Sequence, residues 1–134
     1  MRTLEDRFNQ YKNVVDRLEE VIETYKNNNS QIIVDAMIQR FEFCVELSWK
    51  LLKDYLSSEN VGDFNSPRSV MEEAYKMNLI TEGELWLDML EDRNLTSHTY
   101  DEIVANAIRD NILNTHYVLL KRLKDTMEEK IYEK

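Results

Sequence analysis

Glycine and proline are nearly missing from this chain: Gly62 and Gly83 are the only glycines and Pro67 the only proline among 134 residues. A many-stranded sheet needs turn residues at every reversal, so their scarcity excludes most β architectures and favours long helices. Cysteine is equally sparse. Cys44 stands alone in an apolar stretch, which excludes an intrachain disulfide, suits a reducing compartment and reads as a small buried hydrophobe rather than a nucleophile. Basic charge is in deficit, with 17 Lys and Arg against 26 Asp and Glu, a net charge of −9. Such a field repels a polyanion at long range and excludes broad binding of nucleic acid through a basic surface, while leaving room for a small local RNA site or a basic partner. No run of about 18 apolar residues occurs. The opening Met-Arg-Thr-Leu-Glu-Asp also lacks the pattern of a signal peptide, so a cytoplasmic protein without membrane association is expected.

What is present is helical periodicity. Leu4, Phe8, Tyr11, Val15, Leu18, Ile22 and Tyr25 recur at steps of four and three, which predicts a first helix over about 2–27. Three asparagines end it, and Ser30 is placed to cap the next. That second helix, to about Ser57, carries one narrow polar stripe (Asp35, Gln39, Glu42, Glu46, Lys50, Lys53) against a wide apolar arc, so it must touch several neighbours. Ser66-Pro67 opens a short third helix, about 67–77. Thr81-Glu82-Gly83-Glu84 has the spacing of a capping box for a fourth, on which Trp86, Met89, Leu90 and Arg93 share a face. A last helix is expected to start near 97–100, with Thr99 in a second capping box. Its stripe runs through Val104, Ile108, Ile112, Leu119, Leu123 and Met127 to about Glu129. The sum is an all-α chain, an up-and-down four-helix bundle with one additional short helix, in a single domain spanning 1–134.

Between the last two long helices stands Arg93-Asn94-Leu95-Thr96-Ser97-His98-Thr99-Tyr100. A guanidinium is a permanent cation whose planar donor fork suits phosphate, and an imidazole titrates near neutral pH. Arg93 and His98 together are a minimal kit for cleaving a phosphodiester without a metal. His98 would move the proton of a ribose 2′-hydroxyl or of the leaving oxygen, and Arg93 would stabilise the charge that builds on phosphorus oxygens. One histidine does not serve both proton transfers, so a symmetric dimer that sets two junctions side by side is required. The structural alternative is plain: an Arg near a helix C-terminus answers the helix dipole, Asn94 stops a helix, and His98 caps.

The octapeptide resembles the motif of HEPN-domain proteins of the HepT-like, nucleotidyltransferase substrate-binding type: an Arg, a polar residue, a short spacer, then His-x-Tyr. Here the positions are Arg93, Asn94, Leu95 to Ser97, His98 and Tyr100. The resemblance extends to Arg40 through Lys50, to Ser66-Pro67-Arg68 and to Glu84 through Leu90, and covers about residues 4 to 125. It implies a helical bundle that forms a complex with a minimal nucleotidyltransferase. In the toxin–antitoxin members it implies a homodimeric, metal-independent ribonuclease acting on RNA without a cofactor. Arg93 and His98 would be catalytic, Asn94 supporting, and Tyr100 the acceptor of AMP transferred by the partner. An alternative reading of the same family is a non-catalytic subunit that presents a substrate to the nucleotidyltransferase.

His116 lies beside the apolar stripe of the last helix and reads as a core or boundary histidine. With only His98 and His116 available and no Glu-x-x-His pair, no metal site is expected. Arg40, in a mostly apolar helix, must find a carboxylate or carbonyl partner or reach water, and an acidic residue of the motif region, for example Asp92 or Asp101, is within its expected reach. Phe43, Trp49 and Trp86 read as core or interface aromatics rather than a stacking platform. Lys121, Arg122 and Lys124 read as a solvated face.

Overall fold

A computed structural model describes residues 2–133; Met1 and Lys134, the two ends of the expected domain, lie outside the described residues. The fold is the expected all-α bundle. Helix α1 (Leu4–Asn27) opens on a capping box in which Thr3 and Asp6 bond each other's backbone N–H, and α2 (Gln31–Ser58) is capped by Ser30, whose hydroxyl accepts from the Ile33 N–H. The short α3 (Pro67–Lys76) starts at the Ser66-Pro67 signal. Helix α4 (Gly83–Leu95) leads through a 3₁₀ turn (Thr96–His98) to α5 (Glu102–Asn111). A π-helical turn (Ile112–His116) then passes without a break into α6 (Tyr117–Tyr132).

The wide apolar arc of α2 makes it the hub: it packs on α1, α3, α4, α5 and α6. Val34, Met37, Phe41, Cys44, Val45, Leu51, Leu52 and Leu56 are all buried along it. Helix α1 lies antiparallel to α2 across the three-residue turn and also covers α6, where the buried Tyr11 hydroxyl donates to the Leu120 carbonyl at 2.6 Å. Burial holds the Tyr11 phenol well above its ordinary pKa, with the nearby Cys44 adding to the shift.

The π turn has a cause in the sequence. Ile108, Ile112, His116 and Leu120 follow one another at strict four-residue steps, and all four are buried. In an α-helix each such step overshoots a full turn by about 40°, so the row would rotate off the core. A single wider turn takes up the excess and keeps all four inward.

Three local expectations are corrected. Helix α4 is not entered through a Thr81 capping box. Leu79 and Ile80 bury themselves in the core, the chain reverses through left-handed Asn78 (φ 59°) and Glu82 (φ 57°), and Glu82 takes the cap position without a side-chain cap bond. Thr99 does not cap α5; its hydroxyl donates back to the Thr96 carbonyl at 3.0 Å, and Asp101 caps by accepting from the Ile103 N–H at 2.9 Å. Arg40 turns to α1 instead of the motif, donating to the Arg17 carbonyl at 2.7 Å and to Glu20 at 3.1 Å, because the antiparallel α1–α2 pair sets those groups beside it.

Candidate functional site

The junction between α4 and α5 is built by hydroxyls. The Thr96 side chain donates to the Arg93 carbonyl at 2.6 Å, Ser97 to the Asn94 carbonyl at 3.3 Å, and Thr99 to the Thr96 carbonyl at 3.0 Å. Carbonyls left open at the helix end are thereby satisfied without a glycine. The helix runs one residue past Asn94, to Leu95, so Asn94 stands in the last turn rather than ending it.

Arg93 is half-buried and loosely held. Its Nη1 lies 3.7 Å from the Glu42 carboxylate on α2 and 3.5 Å from the Thr96 hydroxyl, and its Nε is buried with no partner. These contacts are long for charge-assisted bonds, which run at about 2.7–2.9 Å. The guanidinium therefore has donors to spare. His98 is exposed on the 3₁₀ turn, and its Nδ1 faces the Tyr100 hydroxyl at 3.4 Å, the rings meeting edge to face at 6.1 Å. The structure thus brings His98 and Tyr100 together as a pair; Arg93 and His98 make no hydrogen bond to each other among the described residues.

The surface around the junction is apolar at unusual points. Tyr100 is 84 % exposed, Ile103 81 % and Ile32 80 %, and Leu95 and Phe43 are also exposed. Between Tyr100 and the α2 stripe lies a groove lined by Asp35, Gln39, Glu42 and Thr99. A second groove, about 350 Å³ and lined by Arg93, opens between α2, α3 and α4.

Sequence reasoning missed one element here. Asp92, the residue before Arg93, accepts a 2.7 Å hydrogen bond from His116 Nε2 and a 2.9 Å bond from the Asn111 amide. His116 is 3 % exposed and stacks on Phe41, the residue before Glu42, with ring centroids 5.2 Å apart. Both members of the Arg93–Glu42 pair are thus flanked in sequence by residues of one buried cluster. The strict four-residue row through His116 was the available signal. The remaining candidates are structural. Cys44 is buried and burial pushes its thiol up; Trp86 is core; Lys121, Arg122 and Lys124 pair with Glu19, Glu82 and Asp16. Among the described residues no three His, Cys, Asp or Glu side chains converge on a point that would hold a metal ion, and no helix is long and apolar enough to cross a membrane.

Comparison with known proteins gives the family and the fold. Residues 6–129 match the family described as nucleotidyltransferase substrate binding protein like. A curated Haemophilus influenzae protein, described as a probable ribonuclease HepT, is 32 % identical over 100 residues, covering 69 % of this chain and 68 % of its own. Among solved structures, a Haemophilus influenzae protein described as a substrate-binding domain of a nucleotidyltransferase superposes with a TM-score of 0.80 at 25 % identity, over 90 % of this chain and 98 % of that one. A tri-AMPylated Shewanella oneidensis HEPN toxin, in complex with an MNT antitoxin, shares the fold with a TM-score of 0.75 at 18 % identity, over 96 % of this chain and 98 % of that one.

Proposed function

Because the chain belongs to the HepT-like HEPN family of nucleotidyltransferase substrate-binding proteins, we propose that it is a metal-independent ribonuclease of the toxin–antitoxin kind, controlled by a minimal nucleotidyltransferase that AMPylates Tyr100. The observation that carries this reading is the under-satisfied Arg93 guanidinium beside an exposed His98–Tyr100 pair.

In the reaction, His98 of one chain takes the proton from a ribose 2′-hydroxyl, and that oxygen attacks the adjoining phosphorus. The 5′-oxygen of the next nucleotide leaves and receives a proton from His98 of a second chain. The products are a 2′,3′-cyclic phosphate and a 5′-hydroxyl. Arg93 donates to the phosphoryl oxygens while negative charge builds there, and Asn94 supports that contact from the same helical turn. The exposed Ile32 and Ile103 supply apolar area for the homodimer that sets two junctions face to face.

AMPylation fits the same geometry. The Tyr100 oxygen attacks the α-phosphorus of ATP held by the partner, pyrophosphate leaves, and the phenolic proton passes to solvent. The adduct then sits at an oxygen 3.4 Å from His98 Nδ1, where its charge and bulk occupy the space an RNA phosphate must enter.

The test is cleavage of several RNAs by the purified chain, by His98→Ala and by Arg93→Ala, with and without EDTA. Cleavage by the wild type, unaffected by EDTA and lost in both variants, is expected. Equal mixtures of the two variants should stay inactive, since a mixed dimer keeps only one of the two His98 side chains that the proton transfers use. Identical behaviour of wild type and His98→Ala would sink the nuclease reading. It would leave the second one, a subunit that presents a substrate to the nucleotidyltransferase, which the description of the matched family favours.

A further inference from the structure

The groove of about 350 Å³ that Arg93 lines has a composition of its own. Arg93 and Asn94 form one wall, Arg68 at the start of α3 another, and Trp49 on α2 a third, with Val45, Leu87 and Leu90 between them. Three stretches singled out in the sequence for their resemblance, within residues 40–50, 66–68 and 84–90, meet in this one cleft. Its volume lies at the lower end of the roughly 300–1,000 Å³ spanned by ligand pockets, the size for one small unit rather than a folded segment.

Charge distinguishes it from its neighbours. The groove between α3 and α4 sets Lys76 against Glu72, Glu82, Glu84 and Asp88, and the groove holding Tyr100 contains no cation. Here two guanidinium groups border one opening. Among the described residues Arg68 is tied only to Glu72, at 3.4 Å with both side chains more than half exposed, a contact worth little and easily exchanged. Glu46 also lines the cleft, but Lys50 lies 3.5 Å from it and the Trp49 indole N–H donates to it at 3.3 Å, so its charge is locally answered and the ring is held in place. Glu91 is the one remaining carboxylate of the lining.

We propose that this groove is a nucleotide subsite for single-stranded RNA, taking the residue that adjoins the scissile phosphodiester, with Trp49 as the stacking wall and Arg68 as a second phosphate contact. The proposal rests on the ribonuclease reading and extends it. Arg93 lines this groove and lies 3.7 Å from Glu42, which lines the groove holding Tyr100, so a strand whose phosphate lies at Arg93 and His98 continues along α2 past Trp49. Stacking on an aromatic face accepts any base, and a local pair of cations offsets the acidic surroundings only where the backbone is in contact.

The experiment uses the His98→Ala chain, which holds RNA without cutting it, and a fluorescently labelled single-stranded hexaribonucleotide of mixed sequence, followed by anisotropy. Adding Arg68→Ala should weaken binding about tenfold, the scale of one lost stacked or charged contact. It should also make the slope of log K against log salt shallower by about 0.7, the loss of one phosphate contact to a single strand. Trp49→Leu should weaken binding by a similar factor and Trp49→Phe by much less. If Arg68→Ala and Trp49→Leu both stay within about twofold of their parent, where one lost contact is worth about tenfold, the subsite is refuted. If AMP alone competes as tightly as the hexamer and loses the same factor on Arg68→Ala, the groove is a mononucleotide site and the RNA proposal is overturned. A wild type that cuts no RNA while Arg68 still governs hexamer binding defeats the nuclease reading and leaves the subsite standing. Cleavage without any Arg68 dependence of binding does the reverse.

Discussion

Removing the carboxylate of Asp92 tests the claim that a buried cluster fixes the turn from which Arg93 projects. In Asp92→Ala, His116 keeps its place on Phe41 but loses the only partner of its Nε2 proton, and its Nδ1 is already buried without one. A buried donor left unmade costs about 1–3 kcal/mol, and the Asn111 bond adds about 0.5–1 kcal/mol, so a total near 2–3 kcal/mol is expected. For 134 residues the unfolding entropy is about 0.3 kcal/mol/K, which converts that loss into a fall in Tm of about 7–10 °C. His116→Phe preserves the stack with a somewhat larger ring and leaves Asp92 with Asn111 and partial access to water, so it should cost only about 1–2 kcal/mol. The double variant should cost at least about 1 kcal/mol less than the sum, because neither orphan remains. Urea unfolding of the four proteins measures this. A coupling within about 0.3 kcal/mol of zero would show that the 2.7 Å contact does not hold α4 to the last helix and would refute the reasoning.

Stability should decline with rising alkalinity. Cys44 and Tyr11 keep their protons in the folded chain because both are buried, while in the unfolded chain a thiol releases its proton from about pH 8.5 and a phenol from about pH 10. The unfolded state then binds fewer protons, so unfolding free energy is fully present below about pH 8.5 and falls above it, by up to about 1.4 kcal/mol per pH unit for each group; Tyr11→Phe should flatten the limb above pH 10. A thiol reagent should leave Cys44 untouched in the native protein and label it at the rate of unfolding; rapid native labelling would contradict its burial. Glu82→Asn should raise Tm by about 2–3 °C, since asparagine tolerates the left-handed backbone at φ 57° better than glutamate, and a fall would show that the 3.4 Å contact with Arg122 outweighs the strain.

The helices and the hub were legible because their signals are local. Leu4 to Tyr25 fix a face of α1 without knowledge of anything else, and Ser30 and Ser66-Pro67 announce helix starts by backbone chemistry alone. Contacts between distant segments were not legible. Arg40 finds Glu20 because α1 returns antiparallel beside it, and no spacing within α2 encodes that. The entry to α4 went to Glu82 because burying Leu79 and Ile80 outweighs a capping bond. At the site, the motif could be read from Arg93 to Tyr100, but Asp92 was expected to serve Arg40 and His116 to sit in the core or at its boundary. Only the packing of α4 on the π turn makes them one unit.

That wide turn also separates the phase of the last helix into two halves. The Glu102–Asn111 half takes its rotation from α2 and the motif, and the Tyr117–Tyr132 half takes its own from α1. Each can be rotated to suit its neighbours without turning the other. Closing Ile112–His116 into regular α geometry with all five residues kept would swing every side chain of the second half by about 100°, carrying Leu119, Leu123 and Met127 away from α1 together, whereas deleting one residue there would let the turn close with both halves in place. One surplus residue thus decouples the helix that follows the motif from the helix that closes the core.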